Sequence, residues 1–168
     1  MAPYLRAMPW LAGLALLILT VIVMEAVAYA LHRFVMHGPG WVLHKSHHRP
    51  REGAFEANDW YGALFALPSF LLIFFALQRG WWEGLAWIGA GIAVYGAIYF
   101  GFHDIVVHRR VAHGYVPRST YMKRIVQAHR LHHAVGDKKG AVSFGFLWAP
   151  DPRKLKAALQ EKRRARVR

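Results

Sequence analysis

The chain has 168 residues, of which 55% are hydrophobic, 14% aromatic and 18% charged, with 22 Lys+Arg against 9 Asp+Glu and no cysteine. That length holds one domain, and the charged fraction falls below the roughly 25% of soluble domains. Without cysteine there are no disulfides, thiolate zinc sites, cysteine nucleophiles or iron–sulfur ligands, so any metal must be held by nitrogen or oxygen.

Three stretches contain no Asp, Glu, Lys, Arg or His: Ala7 to Met24, Trp60 to Gln78 and Gly84 to Phe102, of 18, 19 and 19 residues. Windows of this length cross a hydrocarbon core of about 30 Å as helices. They predict an all-α integral membrane protein with three transmembrane helices and room for a fourth, partial span. Ala26-Val27-Ala28 resembles a signal-peptide cleavage site. The apolar core is longer than the usual 7–15 residues or so, however, and the positive region before it holds only Arg6 and the amino terminus. The helical pattern also continues from Glu25 to His32 without a breaker, so the reading is one helix that spans and then projects.

The second and third windows form a hairpin through Arg79-Gly80-Trp81-Trp82-Glu83, whose two Trp suit the membrane interface. Pro68 would kink the second helix unless neighbours satisfy the freed carbonyl. Gly89, Ala93, Ala97 and Gly101 recur every four residues, a small-residue stripe that admits another helix or a flat ligand. Phe65, Phe70, Phe74, Phe75, Tyr95 and Tyr99 could line the path of such a ligand. Residues 151–168 form a basic amphipathic tail: Asp151-Pro152 reads as a helix cap, and Leu155, Ala158 and Leu159 share a face. This tail suits a helix lying on anionic lipid or a solvated basic terminus. The basic charge carries no nucleic-acid motif, and no nucleic-acid partner is expected.

Lys and Arg divide 2 against 20 across the three windows: Arg6 and Arg79 on one side, Arg33, Lys45, Arg49, Arg51 and everything after Phe102 on the other. Positive charge stays cytoplasmic, which places the amino terminus outside and the carboxyl terminus inside. All eleven histidines then emerge on the cytoplasmic face.

Ten of them form two repeated patterns. His44, His47 and His48, and again His129, His132 and His133, read H-x-x-H-H, which on a helix puts three imidazoles on one face. His32 with His37, and His103 with His108, read H-x-x-x-x-H, about 140° from a whole turn of a 3.6-residue helix. Such a pair serves one metal only if the helix loosens, as a π-bulge does; otherwise its members serve two. Ten ligands exceed the six or so that one ion accepts, so two metals are expected, with His113 left over. Imidazole suits zinc, copper, nickel and iron alike. The apolar setting favours iron and oxygen chemistry, and no H-E-x-x-H hydrolase arrangement occurs. Ligating histidines usually donate their other N–H to an acceptor, and the candidates are Glu25, seven residues before His32, then Asp59 and Asp104.

The runs Met36-His37-Gly38, His44-Lys-Ser-His47-His48, Gly53-Ala-Phe55-Glu56, Asn58-Asp59, His103-Asp104, Val107-His108, Pro117-Arg118, Ala128-His129-Arg130-Leu131-His132-His133-Ala134 and Val142-Ser143-Phe144-Gly145-Phe146 resemble the bacterial β-carotene 3-hydroxylases of the fatty acid hydroxylase superfamily. The resemblance spans roughly residues 20 to 156 and departs at Val106-Val107, where a glycine is commoner. It implies one membrane-embedded domain over 1–168, located in the bacterial inner membrane with its site on the cytoplasmic face. It also implies a non-haem di-iron monooxygenase with the ten box histidines as ligands, using O₂ and electrons from reduced ferredoxin and its reductase. The implied substrate is a carotenoid, hydroxylated at C3 of the β-ionone ring: β-carotene to β-cryptoxanthin to zeaxanthin, and canthaxanthin to astaxanthin. The rivals are a related hydroxylase, desaturase or ketolase acting on a fatty acyl chain, a sterol or carotenoid C4, and a histidine-rich metal-binding or transport protein.

Overall fold

The computed structural model describes residues 8–167, with side chains through 165; Arg6 and Ala7 of the sequence argument lie outside the described residues. Six α-helices, and no strand among the described residues, follow in order: α1 Trp10–Ala30, α2 Trp41–His44, α3 Trp60–Arg79, α4 Gly84–Tyr99, α5 Thr120–His133 and α6 Pro152–Val167. Two of them do not stop where their α-geometry ends. A π-helical turn, Leu31–Met36, extends α1, and another, Phe100–Val107, extends α4. The helices long and apolar enough to cross a membrane are therefore Trp10–Met36, Ala57–Arg79 and Gly84–Val107. They outrun the uncharged windows because Glu25, Asp59, Arg79 and His103 bound those windows without ending the helices.

The chain divides into two units, one built from the residues up to Met24 and Trp60–Ile98, the other from Glu25–Asp59 and Tyr99 onward. In the first, apolar side chains face outward: Leu11, Ile22, Leu67, Phe70 and Leu77 are each 60% or more exposed. Such a surface suits hydrocarbon and not water. Its helices meet through small residues. A Cβ on Gly91 would lie 2.6 Å from Thr20 Cβ on α1, and one on Gly89 would lie 2.7 Å from the Ser69 carbonyl on α3. Ser69 Oγ donates to the Gly89 carbonyl at 2.7 Å, so the α3–α4 contact is polar at the point of closest approach. Of the predicted stripe, only Gly89 serves this packing; Gly101 faces open space, and Gly91, off the stripe, receives α1. Helix α3 runs through Pro68. It ends at Gly80, whose φ of +63° a side chain would resist, and the Trp81 N–H returns to the Phe75 carbonyl.

In the second unit, Ser119 caps α5 by accepting from the Met122 N–H, and Asp151 caps α6 by accepting from the Arg153 N–H at 2.7 Å. The tail differs from both sequence readings. Leu155 and Leu159, 6% and 5% exposed, pack with Ala128 of α5, Val142 and Ala149. The apolar face of α6 is thus spent on the protein, and α6 buttresses the helix that carries three histidines.

Gly91→Ala should lower the thermal stability of the detergent-solubilised protein by an overpacking cost of about 1–3 kcal/mol. Gly96→Ala, with nothing within 4 Å of the new carbon, should leave the melting temperature unchanged in the same assay.

Candidate metal centre

The three largest fully buried side chains among the described residues are all histidines, His32, His103 and His132. An imidazole buried singly in apolar surroundings would be costly. Here each is one member of a cluster, and the cluster resolves into two sets. The ring nitrogens of His32, His37, His44, His48 and His132 lie within 4.8 Å of one another, as do those of His47, His108, His129 and His133. His103 joins the second set through His47, with their Nε2 atoms 3.0 Å apart.

The π-helical turns answer the question left open by the H-x-x-x-x-H spacing. The His37 N–H bonds to the His32 carbonyl and the His108 N–H to the His103 carbonyl, five residues back in each case. That widened turn swings the second ring toward the first, so His32 and His37 reach the same set. The H-x-x-H-H motifs behave differently from the single facial triad the spacing suggests. His44 and His48 enter the first set while His47 enters the second; His129 and His133 enter the second while His132 enters the first. In the α-helical motif 129–133, positions i and i+4 are about 40° apart and i+3 and i+4 about 100° apart, so the middle histidine faces the other way; in the first motif the chain leaves α-geometry for a 3-10 turn over Lys45–His48, and the same division results. Each set therefore combines one π-turn pair, one i, i+4 pair and one histidine lent by the other motif. The sets share a wall, with His48 stacked on His133 at 4.4 Å.

The orientation of the rings identifies what the sets can hold. In the first, every Nδ1–H is donated outward: His32 to the Phe144 carbonyl (2.9 Å), His37 to Lys138 (2.9 Å), His44 to Asn58 Oδ1 (2.7 Å), His48 to Val135 (2.9 Å) and His132 to Val142 (3.2 Å). In the second, His47 donates to Glu56 Oε2 and His103 to Asp104 Oδ1, both at 3.0 Å. A neutral ring that donates at Nδ1 carries a lone pair at Nε2. Yet the Nε2 atoms face one another: His32 to His44, His44 to His48, and His48 to His132 at 3.2 Å, His132 to His37 at 3.1 Å, and His108 to His129 and His129 to His133 at 2.9 Å. Converging lone pairs repel unless a cation lies among them, and the donor sets fit metal ions. Ligands at right angles, on bonds of about 2.1–2.2 Å, are about 3.0–3.1 Å apart, whereas tetrahedral neighbours on zinc-like bonds are about 3.3–3.4 Å apart. The 2.9–3.0 Å spacings of the second set match the right-angled case, and the 3.1–3.2 Å spacings of the first fall between the two; five donors to a set exceed the four of a tetrahedral site.

Burial keeps these rings in the neutral, ligating form. It pushes His44 down to about 3, and His48 and His108 to about 4, from an ordinary 6.5. Burial, joined by neighbouring imidazoles, takes His133 to about 2 and holds His47, His129 and His132 well below their usual value. His113 stands apart, its Nε2 on the Ile105 carbonyl at 2.8 Å and its Nδ1 accepting from the Tyr115 N–H.

The acid candidates take distinct places. Asp104 meets His103 directly. Asp59 accepts from Arg110 at 2.7 Å and from the Glu56 N–H. Glu25 does not serve as the acceptor expected for His32, since Phe144 does; its Oε1 accepts the backbone N–H groups of Phe146, Leu147 and Trp148 at 2.8, 2.9 and 3.2 Å. It thereby fixes a loop whose Phe146 stacks on His32 at 5.5 Å and meets His103 edge-on at 5.3 Å. Tyr99 stacks on His103 at 4.4 Å. Of the other aromatics read as a ligand path, Phe70 packs on Phe74 and Phe75 on Trp81. The sequence reading names none of Glu56, Asn58 and Arg110 as an outer partner, although the first two stand in the short polar run between His48 and the uncharged window that begins at Trp60.

Residues 17–150 match the family model described as fatty acid hydroxylase, and the chain belongs to that family. More particularly, it is 50% identical to the β-carotene hydroxylase of Pantoea ananas over 95% of this chain and 90% of that protein. It is 49% identical to the β-carotene hydroxylase of Paracoccus sp. (strain PC1), over 86% and 89%. It is also 40% identical to the chloroplastic β-carotene 3-hydroxylase of Haematococcus lacustris, over 86% of this chain and 46% of that longer protein. No solved structure matches the chain.

Glu25→Ala removes the charged acceptor of three amides. Hydrogen–deuterium exchange at residues 146–148 should then accelerate by about tenfold or more, as loss of hydrogen bonds to a charged group requires; unchanged exchange would show that the loop is held by other means.

Proposed function

We propose that the chain is an O₂-dependent carotenoid 3-hydroxylase of the bacterial inner membrane, with an iron ion in each histidine set. The ligands are His32, His37, His44, His48 and His132 for one ion, and His47, His103, His108, His129 and His133 for the other. The observation that carries the reading is the convergence of five histidine Nε2 atoms in each set, one more than tetrahedral zinc accepts, which supports ions of higher coordination number. The names of the relatives support the substrate, a β-ionone ring hydroxylated stepwise from β-carotene through β-cryptoxanthin to zeaxanthin, with canthaxanthin to astaxanthin as the same step on a ketolated ring. The balance is one C–H, one O₂, two electrons and two protons in, and one C–OH and one water out. Reduced ferredoxin, recharged by its reductase, supplies the electrons. The excess of Lys and Arg on the cytoplasmic side would speed docking of an acidic donor of this kind.

The ions supply oxygen activation, and the protein supplies position, tuning and exclusion of water. The outward hydrogen bonds at Nδ1 fix the tautomer and aim of the five rings of the first set and of His47 and His103. Phe144 and Phe146 keep water from the buried rings, and Glu25 keeps that loop in place. Selectivity is a matter of orientation. The allylic C4 hydrogens are the weaker ones, so reaction at C3 requires a ring held with C4 out of reach, geometry overriding intrinsic reactivity.

Expression in an aerated bacterium that accumulates β-carotene should yield β-cryptoxanthin and then zeaxanthin. Accumulation of 4-keto products would reassign the chain to C4 chemistry, and untouched β-carotene alongside iron-loaded protein and a competent donor would move it to a fatty acyl or sterol substrate. A reporter at the carboxyl terminus should behave as cytoplasmic and one near Gly80 as external.

A further inference from the structure

The two histidine sets are built alike, but their surroundings are not. His32 and His103 hold corresponding places as first members of the π-turn pairs, and His132 and His47 as the histidines lent across. His32 and His132 donate to backbone carbonyls, and so do His37 and His48, while His44 donates to an amide. Every acceptor around the first set is neutral. In the second set the corresponding rings, His103 and His47, donate to the carboxylates of Asp104 and Glu56. One cation pairs with both of those acids and with Asp59. Arg110 lies 3.3 Å from Glu56, 2.7 Å from Asp59 and 3.5 Å from Asp104, its side chain only 12% exposed.

The backbone is shaped to put it there. Arg109, at the end of the π-helical turn, adopts a φ of +52°, a left-handed conformation unfavourable to a side chain. The reversal lets the Arg110 N–H bond back to the Asp104 carbonyl at 2.9 Å. One residue thus holds Asp104 by a backbone hydrogen bond and a 3.5 Å ion pair while its guanidinium reaches Glu56 and Asp59, which follow the His44–His48 motif. Three acids thus share one guanidinium beside the second set alone.

We propose that Arg110 is a positioning residue that holds Glu56 and Asp104 against His47 and His103, and that this carboxylate backing makes the second metal position the stronger binder of the two. The inference rests on the reading of the sets as metal sites. A carboxylate behind an imidazole raises the basicity of the ligating nitrogen, whereas a carbonyl does so less, and removing such a partner costs about 10–100-fold in metal affinity. Arg110 keeps the acids directed at the rings instead of at solvent or one another.

The test is release of ferrous iron from the loaded, full-length protein to an excess of ferrous chelator, followed in time. The wild type should release its iron in two phases, the slower belonging to the second set. Glu56→Gln and Asp104→Asn, which keep shape and remove charge, should each accelerate the slow phase about 10–100-fold and leave the fast phase within about twofold. Arg110→Gln should do the same and Arg110→Lys should recover part of the loss, which a merely structural role would not produce. Asn58→Asp places a carboxylate behind His44 and should slow the fast phase. Should Arg110→Gln fail to fold, the two acid variants decide the matter alone. Phases that move together, or a slow phase indifferent to Glu56 and Asp104, would overturn the inference while leaving two bound irons intact. A wild-type protein that binds no iron would instead overturn the reading beneath it.

Discussion

Everything at the centre depends on which nitrogen of the imidazoles carries the proton, and in seven of the ten rings it is the outer one. Ten imidazoles packed together could satisfy one another by hydrogen bonds, half donating and half accepting, and the result would be an ordinary polar core. Here the outer Nδ1 atoms of the entire first set, and of His47 and His103, meet acceptors. The Nε2 atoms are left with lone pairs pointing inward. Buried unpaired acceptors on this scale are untenable without a compensating charge. The acceptors come from far along the chain: Phe144 and Val142 for rings on α1 and α5, Lys138 and Val135 for rings near the first box. The segment after α5 is therefore as much a part of the site as the histidines are.

That segment is in turn held from two directions. Glu25, one turn before the end of α1, gathers the amides of residues 146–148, and α6 closes over Val142 and Ala149 with Leu155 and Leu159. An acid in an apolar helix carries a high cost and calls for a partner; three N–H donors meet that demand and make the acid a clamp. Helix α6 shows the same economy. Its basic face remains in solvent while its apolar face braces α5, so the tail supports the histidine sets without adding a ring to them.

The sequence alone carried the larger features. Uncharged windows 18 and 19 residues long located the spans, and the repeated histidine spacings pointed to two sets of histidines able to hold metal. What it could not carry were directions. From a helical wheel the H-x-x-H-H triad looks like one face, and only the fold reveals that His47 and His132 are exchanged between sets. The H-x-x-x-x-H pairs required a departure from α-geometry, and spacing allowed two solutions where the backbone takes one, a π-helical turn. Glu25 was recognisable as consequential by its cost, but its partners lie more than 120 residues away. Arg110 had no local signal at all, because its meaning arises only when three acids from two segments converge on it.

The most direct test of the account is X-ray absorption at the iron edge of the purified, iron-loaded protein, combined with the metal-to-protein ratio. The account predicts about two irons per chain in a shell of nitrogen and oxygen at about 2.1–2.2 Å, dominated by imidazole scattering, with His132→Ala losing metal and His113→Ala retaining it. A ratio of one or less, or a preference for tetrahedral zinc with bonds of about 2.0 Å, would contradict it.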